Sequence, residues 1–538
     1  MSDYCQEFAE KPCGIYRLNL PTGSGKTLSS LRYALAHAKK FNKEHIIFAI
    51  PLLSILEQNA DVIRDAVGND EIILEHHSNI VQEDDLSEEN LKKESLIDTW
   101  DSPIIITTLV QLLNTMFDGK MSAVRRFHNL SNSVIIIDEV QSVPIKMLSL
   151  FNMTLNFLSK ICNTTILLCS ATQPLFENIP HKLLVDDSDV VPNDKLIKYK
   201  KIFKRTRVQY LGDLNDDEII EYINEYYQKY NSVLMICNTK KEAKEFFLKA
   251  KAIAKKCVHL STSMCVAHRR KVIKNMVEML KNNEPFICVS TQLIEAGVDV
   301  SFGAVIRIVA GIDSIAQAAG RGNRNGEFQE LSPVGIVFLK GENLSKLKEI
   351  ERAQNATVEL IAEYEKNPNN FEDDLISDSS IKYYYETLFK KLDEKSTCCC
   401  LDDGDIWNYL SCDSKNVPEN DSRVVMRQAF KTAGDNFEVF DNSQTTLIVP
   451  FEDGKELIND ILSDKFGVDI IWTKNILKNA KNYTVNLYDY QIKKLDEQKA
   501  IIRDQNKMVL ILNPEYYDGE LGAVIEKGEK NEWSTLIL

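Results

Sequence analysis

The chain has 538 residues, 44% apolar and 27% charged, which is typical of globular proteins rather than fibrous or disordered ones. This length exceeds one ordinary hydrophobic core, so several domains of about 100 to 200 residues are expected. A formal net charge of −15 argues against indiscriminate binding to polyanions, although a single groove can still be basic.

No apolar run approaches the roughly 20 residues of a membrane helix, and the first residues lack the features of a secretory signal. We therefore expect a cytoplasmic protein that does not associate with a membrane. Several of the twelve cysteines lie in apolar, strand-like runs, where a reduced thiol acts as a small hydrophobe. Metal binding by Cys398, Cys399, Cys400 and Cys412 stays open, although adjacent cysteines rarely fit one tetrahedral site.

The first motif in chain order is "PTGSGKT" at 21–27, which lies between an apolar run and an amphipathic helical pattern. Its glycines let the backbone turn its N–H groups inward, and the helix that follows points its positive end at the same place. Lys26 is expected to reach the β- and γ-phosphates of a nucleotide, and Thr27 to hold Mg²⁺. The predicted phosphate-binding residues are Thr22, Gly23, Ser24, Gly25, Lys26 and Thr27.

Short β-branched runs then alternate with helical patterns, which predicts a parallel sheet covered on both faces. The predicted strands are 45–50, 103–108, 132–139 and 164–172. The run "VIIIDEVQ" places Asp138 and Glu139 at the end of a buried strand, where parallel sheets bind ligands. Asp138 is expected to hold Mg²⁺, and Glu139 to orient and deprotonate the water that attacks the γ-phosphate.

A second series of strands follows the basic segment 195–207 and predicts a second α/β domain. Its predicted strands are 232–239, 285–292, 304–310 and 334–339. The stretch "SIAQAAGRGNRNG" then gives Gln317, Gly320, Arg321 and Arg324 a Q-x-x-G-R-x-x-R spacing. Helical spacing would place both arginines one turn apart on one face, aimed at the γ-phosphate from the second domain.

From about residue 345 the pattern changes to a charged helical stretch and then to a mixed region with a few strand-like runs, "TTLIVP" and "MVLIL". These features indicate a helical linker and an accessory domain.

Together, "LPTGSGKT", "TTLVQ", "IDEVQ", "SAT" and "QAAGRGNRNG" resemble the ordered motifs of superfamily 2 helicases. The phrases "IPLLSILEQNA", "HLSTSMCVAHRR" and "STQLIEAGVDVSF" are similar, more narrowly, to the helicase portion of the CRISPR-associated helicase-nucleases of type I interference systems. This resemblance implies an α/β fold with two tandem RecA-like parallel-sheet domains, followed by a linker helix and a small accessory domain. The expected bounds are 1–195, 196–345, 346–400 and 401–538.

The same resemblance implies a Mg²⁺- and ATP-dependent motor that moves 3′ to 5′ on single-stranded DNA in antiviral defence, after recruitment by an RNA-guided surveillance complex. Gln317, Arg321 and Arg324 would act in catalysis, and Gly297 and Asp299 would face both nucleotide and DNA. The strand contacts that it implies are Pro51, Ser54, Thr107, Thr108, Gln111, Asn238, Thr239, Ser261, Thr262, Arg269, Thr291 and Gln292. Most of these are hydroxyls and amides, which suit phosphate and sugar contacts.

The sequence departs from the family in two ways. None of its eight histidines is followed by Asp, so we expect the HD-type nuclease to act in trans or to lie on a missing segment. Only 20 residues precede the phosphate-binding motif, which leaves the contacts to adenine open. Two alternatives also stay open: an RNA helicase or remodelling ATPase of superfamily 2, and an ATP-gated binding subunit that is not a motor.

Overall fold

The computed structural model describes residues 1–21, 23–51, 53–77, 95–186, 189–295, 297–401, 404–411, 428–439, 444–504 and 509–525. Within this part of the chain, no helix combines the length and the apolar character needed to cross a lipid bilayer.

The first sheet has six parallel strands in the order β1-β6-β5-β2-β4-β3. All six residues of β2, "HIIFAI", are buried, as expected for a strand covered on both faces. The strands are β1 (Ile15–Asn19), β2 (His45–Ile50), β3 (Ile73–His76), β4 (Ile104–Thr108), β5 (Ser133–Asp138) and β6 (Thr165–Ser170). The accompanying helices are α1 (Ser2–Phe8), α2 (Lys26–Phe41), α3 (Leu53–Val67), α4 (Leu109–Phe117), α5 (Met121–Phe127) and α6 (Leu148–Lys160).

The second sheet repeats this architecture, with six parallel strands in the order β7-β12-β11-β8-β10-β9. Its strands are β7 (Thr206–Leu214), β8 (Ser232–Cys237), β9 (Cys257–Leu260), β10 (Phe286–Thr291), β11 (Ala304–Ile308) and β12 (Ser332–Leu339). Helix α7 (Asn193–Phe203) precedes this sheet, and its accompanying helices are α8 (Asp216–Tyr230), α9 (Lys240–Ala250), α10 (Val266–Lys281) and α11 (Ile312–Ala319). Two parallel sheets in tandem confirm the predicted fold class.

Strand order decides which motifs meet, because the carboxyl ends of parallel strands share one edge of the sheet. In the first sheet β1, β6 and β5 are neighbours, so the loop after β1 lies beside Asp138 and Ser170. In the second sheet β11, β8, β10 and β9 are consecutive, so the segments that follow these four strands also lie side by side.

Beyond the second sheet, helices α12 (Lys348–Lys366) and α13 (Asp378–Lys390) pack against each other and against both sheets. Short helices follow: α14 (Glu394–Thr397), α15 (Ile406–Leu410) and α16 (Phe430–Asp435). The C-terminal region adds α17 (Gly454–Ile461), α18 (Ile470–Ala480), α19 (Asp489–Glu497) and a mixed sheet in the order β16-β15-β18-β17. The remaining strands are β13 (Cys400–Leu401), β14 (Gly404–Asp405), β15 (Gln444–Ile448), β16 (Thr484–Tyr488), β17 (Ile501–Arg503), β18 (Leu510–Leu512), β19 (Tyr517–Asp518) and β20 (Gly522–Ala523).

The boundary expected at residue 195 falls inside helix α7. Leu196 of this helix is buried in the core of the first domain, so α7 packs with that domain. We therefore propose that the first domain extends to about residue 204, and we retain 345 and 400 as proposed boundaries. Of the cysteines that were considered as metal ligands, Cys398 and Cys399 are buried, and Cys412 lies outside the described residues.

Candidate nucleotide and nucleic-acid site

The loop between β1 and α2 has the backbone of a phosphate cradle. Gly23 and Gly25 adopt φ values of 75° and 79°, and a Cβ atom added at either would meet nothing within 4 Å. The open space therefore lies in front of a loop whose conformation favours glycine. Gly25 is also the N-cap of the 16-residue helix α2, which lacks a side-chain cap, so its first N–H groups suit an anion. Thr22 lies outside the described residues.

Lys26, Asp138 and Glu139 form one buried cluster. Lys26 Nζ lies 2.7 Å from Glu139 Oε1 and 3.2 Å from Asp138 Oδ1, and the three side chains are between 12% and 15% exposed. Burial opposes the charge on Lys26, but the two carboxylates raise its pKa well above its usual range. An ammonium has three donors, so Lys26 keeps one for a phosphate oxygen while it contacts both carboxylates.

The two carboxylates differ in their electrostatics. Burial, followed by the charge of Glu139, raises the pKa of Asp138. Burial acts in the same direction on Glu139, but Lys26 and the hydrogen bonds from Gln141 and Gln317 outweigh it and lower the pKa of Glu139. Glu139 is therefore held as an anion.

Glu139 also has an unusual backbone and a network of side-chain donors. Its φ of 47° lies in the left-handed region, which costs a non-glycine residue on the order of 1 kcal/mol or more. Gln141 Nε2 donates to Glu139 Oε2 at 2.5 Å, and Ser170 Oγ donates to Gln141 Oε1 at 2.6 Å. Because the Ser170 hydroxyl also accepts from the Thr172 N–H, the segment after β6 is connected to the acid pair.

The second domain reaches this cluster through Gln317. Its Nε2 lies 3.4 Å from Glu139 Oε2, a long hydrogen bond between the two domains. Gln317 lies on α11, directly after strand β11. The structure therefore places the phosphate loop, the acid pair and a residue of the second domain in one cleft.

The expected helical arrangement of Arg321 and Arg324 is wrong, because α11 ends at Ala319 and a turn follows it. Arg321 is 6% exposed and donates to the main-chain oxygens of Ile294 and Glu295 at 2.9 and 2.7 Å. Burial, then the neighbouring charge of Arg324, lowers the pKa of Arg321 to about 9. Within the described residues, neither guanidinium hydrogen-bonds to the acid pair.

The other predicted nucleotide contacts lie near the cleft and have partners within the protein. Thr27 Oγ1 donates to Asn59 Oδ1 at 3.1 Å, which leaves the lone pairs of its oxygen for a cation. Asp299 pairs with Arg324, Nε to Oδ1 at 2.7 Å. Gly297 has a φ of 78°, a conformation that few other residues adopt.

The residues of the first domain that were predicted to contact the nucleic-acid strand lie after β2 and β4, which are neighbouring β-strands. Thr107 is fully buried and donates to the His76 main-chain oxygen at 2.8 Å. Thr108 caps α4 by accepting from the Gln111 N–H. Pro51 lies directly after β2, and the side chain of Ser54 lies outside the described part of the chain. The two threonine hydroxyls therefore shape this edge, and Gln111 is partly exposed there.

In the second domain, several predicted contacts are used inside the protein. Asn238 Nδ2 donates to the Val309 oxygen and to Glu342, and Thr239 caps α9 in a capping box with Glu242. Ser261 is fully buried. The residues with exposed surface at this edge are Thr262, Arg269, Thr291 and Gln292.

Lys240 is a candidate contact to the nucleic-acid strand that was not predicted from the sequence. Burial lowers the pKa of both Lys240 and Arg269, and the charge of Arg269 lowers the pKa of Lys240 further. Neither side chain forms an ion pair within the described part of the chain. Lys240 and Arg269 are therefore two partly buried cations that offer positive charge on a chain of net negative charge. The signal was present in the sequence, because Lys240 directly follows the predicted contact Thr239.

A buried network around Arg307 was also missed. Arg307 is 0% exposed, its Nε lies 2.8 Å from Glu295 Oε1, and its Nη1 donates to Asn238 Oδ1 at 2.7 Å. Its Nη2 donates to Ser314 at the start of α11. A charged residue inside the apolar run "AVIRIVA" was the available signal, because a buried guanidinium requires partners. The network fixes the loop at 292–295 relative to the helix that carries Gln317.

The C-terminal hairpin β19–β20 packs onto the segment that joins β9 to α10. Ala523 N–H donates to the Ser263 oxygen at 2.8 Å, and the Tyr517 hydroxyl accepts from the Cys265 N–H at 3.2 Å. Gly522, at a φ of 80°, approaches so closely that an added Cβ would lie 2.3 Å from the Ser263 oxygen. The accessory region therefore supports the segment that leads to Arg269.

A cavity of about 340 Å³ extends the cleft between both sheets and the helices α12 and α13. Its lining includes Gln141, Gln292, Asp313, Gln317, Tyr385 and Phe389. A second contact between the domains joins α10 to α3, where Arg270 Nη2 lies 2.8 Å from Glu57 Oε1. Both of these side chains are well exposed, so this pair contributes little to stability.

Comparisons with known proteins show what the chain is similar to. A family model described as DEAD/DEAH box helicase matches residues 15–179, and one described as CRISPR-associated nuclease/helicase Cas3, C-terminal, matches residues 229–327. The chain is 29% identical over 404 residues to a Cas3-named protein of Methanocaldococcus jannaschii, covering 69% of this chain and 51% of that protein. It is 25% identical over 371 residues to the CRISPR-associated nuclease/helicase Cas3 of Methanothermobacter thermautotrophicus, covering 64% and 43%.

Among solved structures, the crystal structure of T. fusca Cas3 with ATP has a TM-score of 0.67 at 13% identity, covering 95% of this chain and 67% of that one. A CRISPR RNA-guided surveillance complex, pre-nicking, contains a chain with a TM-score of 0.59 at 12% identity, covering 95% and 66%. At these identities the structural matches show the fold alone. The chain spans about half the length of the curated relatives it matches.

Two tandem parallel sheets, with a phosphate loop and acid pair on one and Gln317 on the other, define the helicase core of superfamily 2. Together with this architecture, the family and sequence matches support a helicase region of the Cas3 type.

Proposed function

We propose that this chain is the ATP-driven motor of a type I CRISPR antiviral defence system, and that it moves 3′ to 5′ on single-stranded DNA. The observation that carries the proposal is the contact of Gln317 with Glu139 beside Lys26, since it builds one site from two domains. A nucleotide held between two domains couples hydrolysis to their relative movement. The T. fusca relative with ATP supports the assignment of the nucleotide.

In this proposal, the main chain at 23–25 and Lys26 would hold the phosphates, and Thr27 and Asp138 would hold Mg²⁺. The metal would neutralise charge that develops on the phosphates. Glu139 accepts the proton of the attacking water, and its donors Gln141 and Gln317 orient the carboxylate. Arg321 retains donors beyond the two that hold the main chain, so it and Arg324 would respond to the phosphate charge.

ATP turnover with and without single-stranded DNA tests the proposal. We expect DNA to stimulate the unaltered chain, and Lys26→Ala and Glu139→Gln each to lower kcat by at least a factor of about 100. Glu71→Gln, an exposed glutamate in the same domain, serves as the control and should leave turnover unchanged. Near-normal turnover in either cleft variant would refute the assigned roles, and stronger stimulation by RNA would favour the RNA helicase alternative.

The direction of movement is tested with streptavidin bound to one end of a single-stranded DNA. A motor that moves 3′ to 5′ displaces streptavidin from a 5′ end and leaves it on a 3′ end. Displacement from the 3′ end alone would reverse the proposed polarity, and stimulation without displacement would favour an ATP-gated binding subunit.

We further propose that DNA cutting resides outside this chain, with an HD-type nuclease in trans or on a missing segment. The absence of any His-Asp dipeptide supports this, as does the partial coverage of longer relatives. The match to a chain in a surveillance complex supports an RNA-guided complex as partner. Purified chain should leave single-stranded DNA intact with Mg²⁺ or Mn²⁺, and robust degradation would contradict the proposal.

A further inference from the structure

Arg307 is a charged residue in the interior of the second domain. It lies in β11, an interior strand of the second sheet whose five residues are all buried, and its own side chain is 0% exposed. A buried ion pair typically stabilises a fold no better than apolar side chains of similar volume. Stability alone is therefore a weak reason for a guanidinium at this position, and its partners indicate a further role.

The partners of Arg307 form one closed network of side chains. Its Nη1 donates to Asn238 Oδ1 at 2.7 Å, its Nη2 donates to Ser314 Oγ at 2.9 Å, and its Nε lies 2.8 Å from Glu295 Oε1. The Ser314 hydroxyl in turn lies 2.8 Å from both carboxylate oxygens of Glu295. The three partners belong to three different segments of the domain, so the guanidinium fixes the positions of these segments relative to one another.

Two of the three segments carry residues of the proposed nucleic-acid edge. Asn238 directly follows β8 and lies two positions before Lys240. Glu295 directly follows the short turn Gln292–Ile294, whose first residue is a predicted contact to the strand and has exposed surface. A strand bound at this edge therefore contacts residues that lie two or three positions away from the partners of Arg307.

The third segment leads to the acid pair. Ser314 is the third residue of α11 and lies about one helical turn before Gln317. The Nε2 of Gln317 lies 3.4 Å from Glu139 Oε2, which is longer than a typical N–H···O hydrogen bond. A small shift of α11 therefore decides whether this contact between the two domains is strong or weak.

We propose that Arg307 is a positioning residue through which a bound nucleic-acid strand controls Gln317, and hence the rate of ATP hydrolysis. The inference rests on the proposed function, because it requires a strand at this edge and a nucleotide in the cleft. When strand binding shifts Asn238 or the turn before Glu295, Arg307 has to follow, because a buried charge that loses its partners is strongly destabilising. Ser314 then moves with Arg307, and α11 carries Gln317 towards the acid pair.

The ratio of kcat with saturating single-stranded DNA to kcat without DNA tests the proposal. Ser314→Ala removes the link between Arg307 and α11 but keeps the pair that Arg307 forms with Glu295. We expect this ratio to fall by a factor of about 2 to 30, the range for single residues that modulate coupling between sites, while the KM for ATP and the Kd for the oligonucleotide change less than about twofold. Ser314→Thr is the matched control, because it keeps the hydroxyl and its methyl group can enter the cavity that Ser314 lines. This control should retain the ratio of the unaltered chain.

A double variant, Arg307→Met with Glu295→Gln, removes both buried charges together, so neither is left without a partner. It should lower the ratio at least as much as Ser314→Ala does. Unchanged ratios in both folded variants would overturn the proposal. A loss of oligonucleotide affinity as large as the loss of stimulation in Ser314→Ala would also overturn it, because the network would then only shape the binding edge. These outcomes differ from failure of the proposed function, in which the unaltered chain itself would hydrolyse no ATP or show no stimulation by DNA.

Discussion

At the scale of single residues, the nucleotide site and the proposed nucleic-acid contact differ in whether their cationic side chains have acidic partners. In the cleft, Lys26 is balanced by two carboxylates within 3.2 Å. At the edge of the second sheet that is proposed to contact the nucleic-acid strand, Lys240 and Arg269 form no ion pair within the described part of the chain. Burial lowers the pKa of each of them. The paired cation in the cleft suits chemistry on a nucleotide. The cations without an acidic partner suit contact with the phosphates of a nucleic-acid strand.

Lys240→Gln should therefore weaken binding to single-stranded DNA. Loss of one phosphate contact reduces the slope of log K against log salt by about 0.7 for a single strand. Lys241→Gln is the matched control, because Lys241 is the next residue, is 85% exposed and lies near Glu245. Fluorescence anisotropy with a labelled oligonucleotide between about 50 and 200 mM salt measures both slopes. Equal slopes for Lys240→Gln and the unaltered chain would exclude Lys240 from the strand contact.

At the scale of elements, the sequence predicted the central strands closely and missed most of the edges. Central strands are apolar throughout, as in the run that became β2, because they are covered on both faces. Strand β7 was not among the predicted strands, since its residues are mostly half-buried and polar residues interrupt its apolar ones. An edge strand is shielded less, so its composition carries a weaker signal.

The candidate site was likewise predicted only in part from the sequence. The phosphate loop and the acid pair were predictable, because their chemistry requires those residue types at the ends of strands. The turn that carries Arg321 could not be predicted from the sequence, because only the structure shows that α11 ends at Ala319. The burial of Asn238 depends on Arg307 and Glu342, which lie about 70 and 100 positions away. Contacts over such separations leave no local pattern.

The start of helix α9 supplies a prediction about stability. Glu242 is 8% exposed, and burial, followed by the charge of Glu342, raises its pKa from 4.5 to about 7. A carboxyl with a raised pKa in the folded state binds a proton that the unfolded chain has released, so its contribution to stability falls as pH rises from 4.5 to 7. One pKa unit corresponds to about 1.4 kcal/mol, which sets an upper limit of about 3 kcal/mol for this loss.

Glu242→Gln keeps the capping box, because glutamine can also accept from the Thr239 N–H. We expect this variant to be more stable than the unaltered chain by about 1 to 3 kcal/mol at pH 8, with a smaller difference at pH 5. Thermal unfolding at the two pH values measures the effect. The exposed Glu245 on the same helix gives the control, Glu245→Gln. A gain of equal size at both pH values would show that ionisation of Glu242 is not the cause.

At the scale of the whole molecule, helices α12 and α13 hold the two sheets in one assembly. Gln354 and Thr357 of α12 donate to the main-chain oxygens of Val309 and Ala310 at the end of β11, at 2.9 and 2.6 Å. Helix α13 faces the first domain, where the ring of Phe389 lies 6.2 Å from that of Phe176. The core of the first domain and these helices share one apolar cluster, so movement between the sheets must involve the pair of helices.

The substitution Phe389→Ala tests whether α13 links the first domain to the rest of the molecule. Phe389 is 5% exposed, and removing a buried phenylalanine side chain typically costs about 3 to 5 kcal/mol. We expect a clear fall in the midpoint of thermal unfolding and faster proteolysis between residues 340 and 400, because α13 then loses its aromatic contact with Phe176 of the first domain. Phe328→Ala removes a ring that is 42% exposed and should change neither measurement. If both variants unfold and are cleaved like the unaltered chain, α13 does not fasten the first domain, and the sheets can move without it.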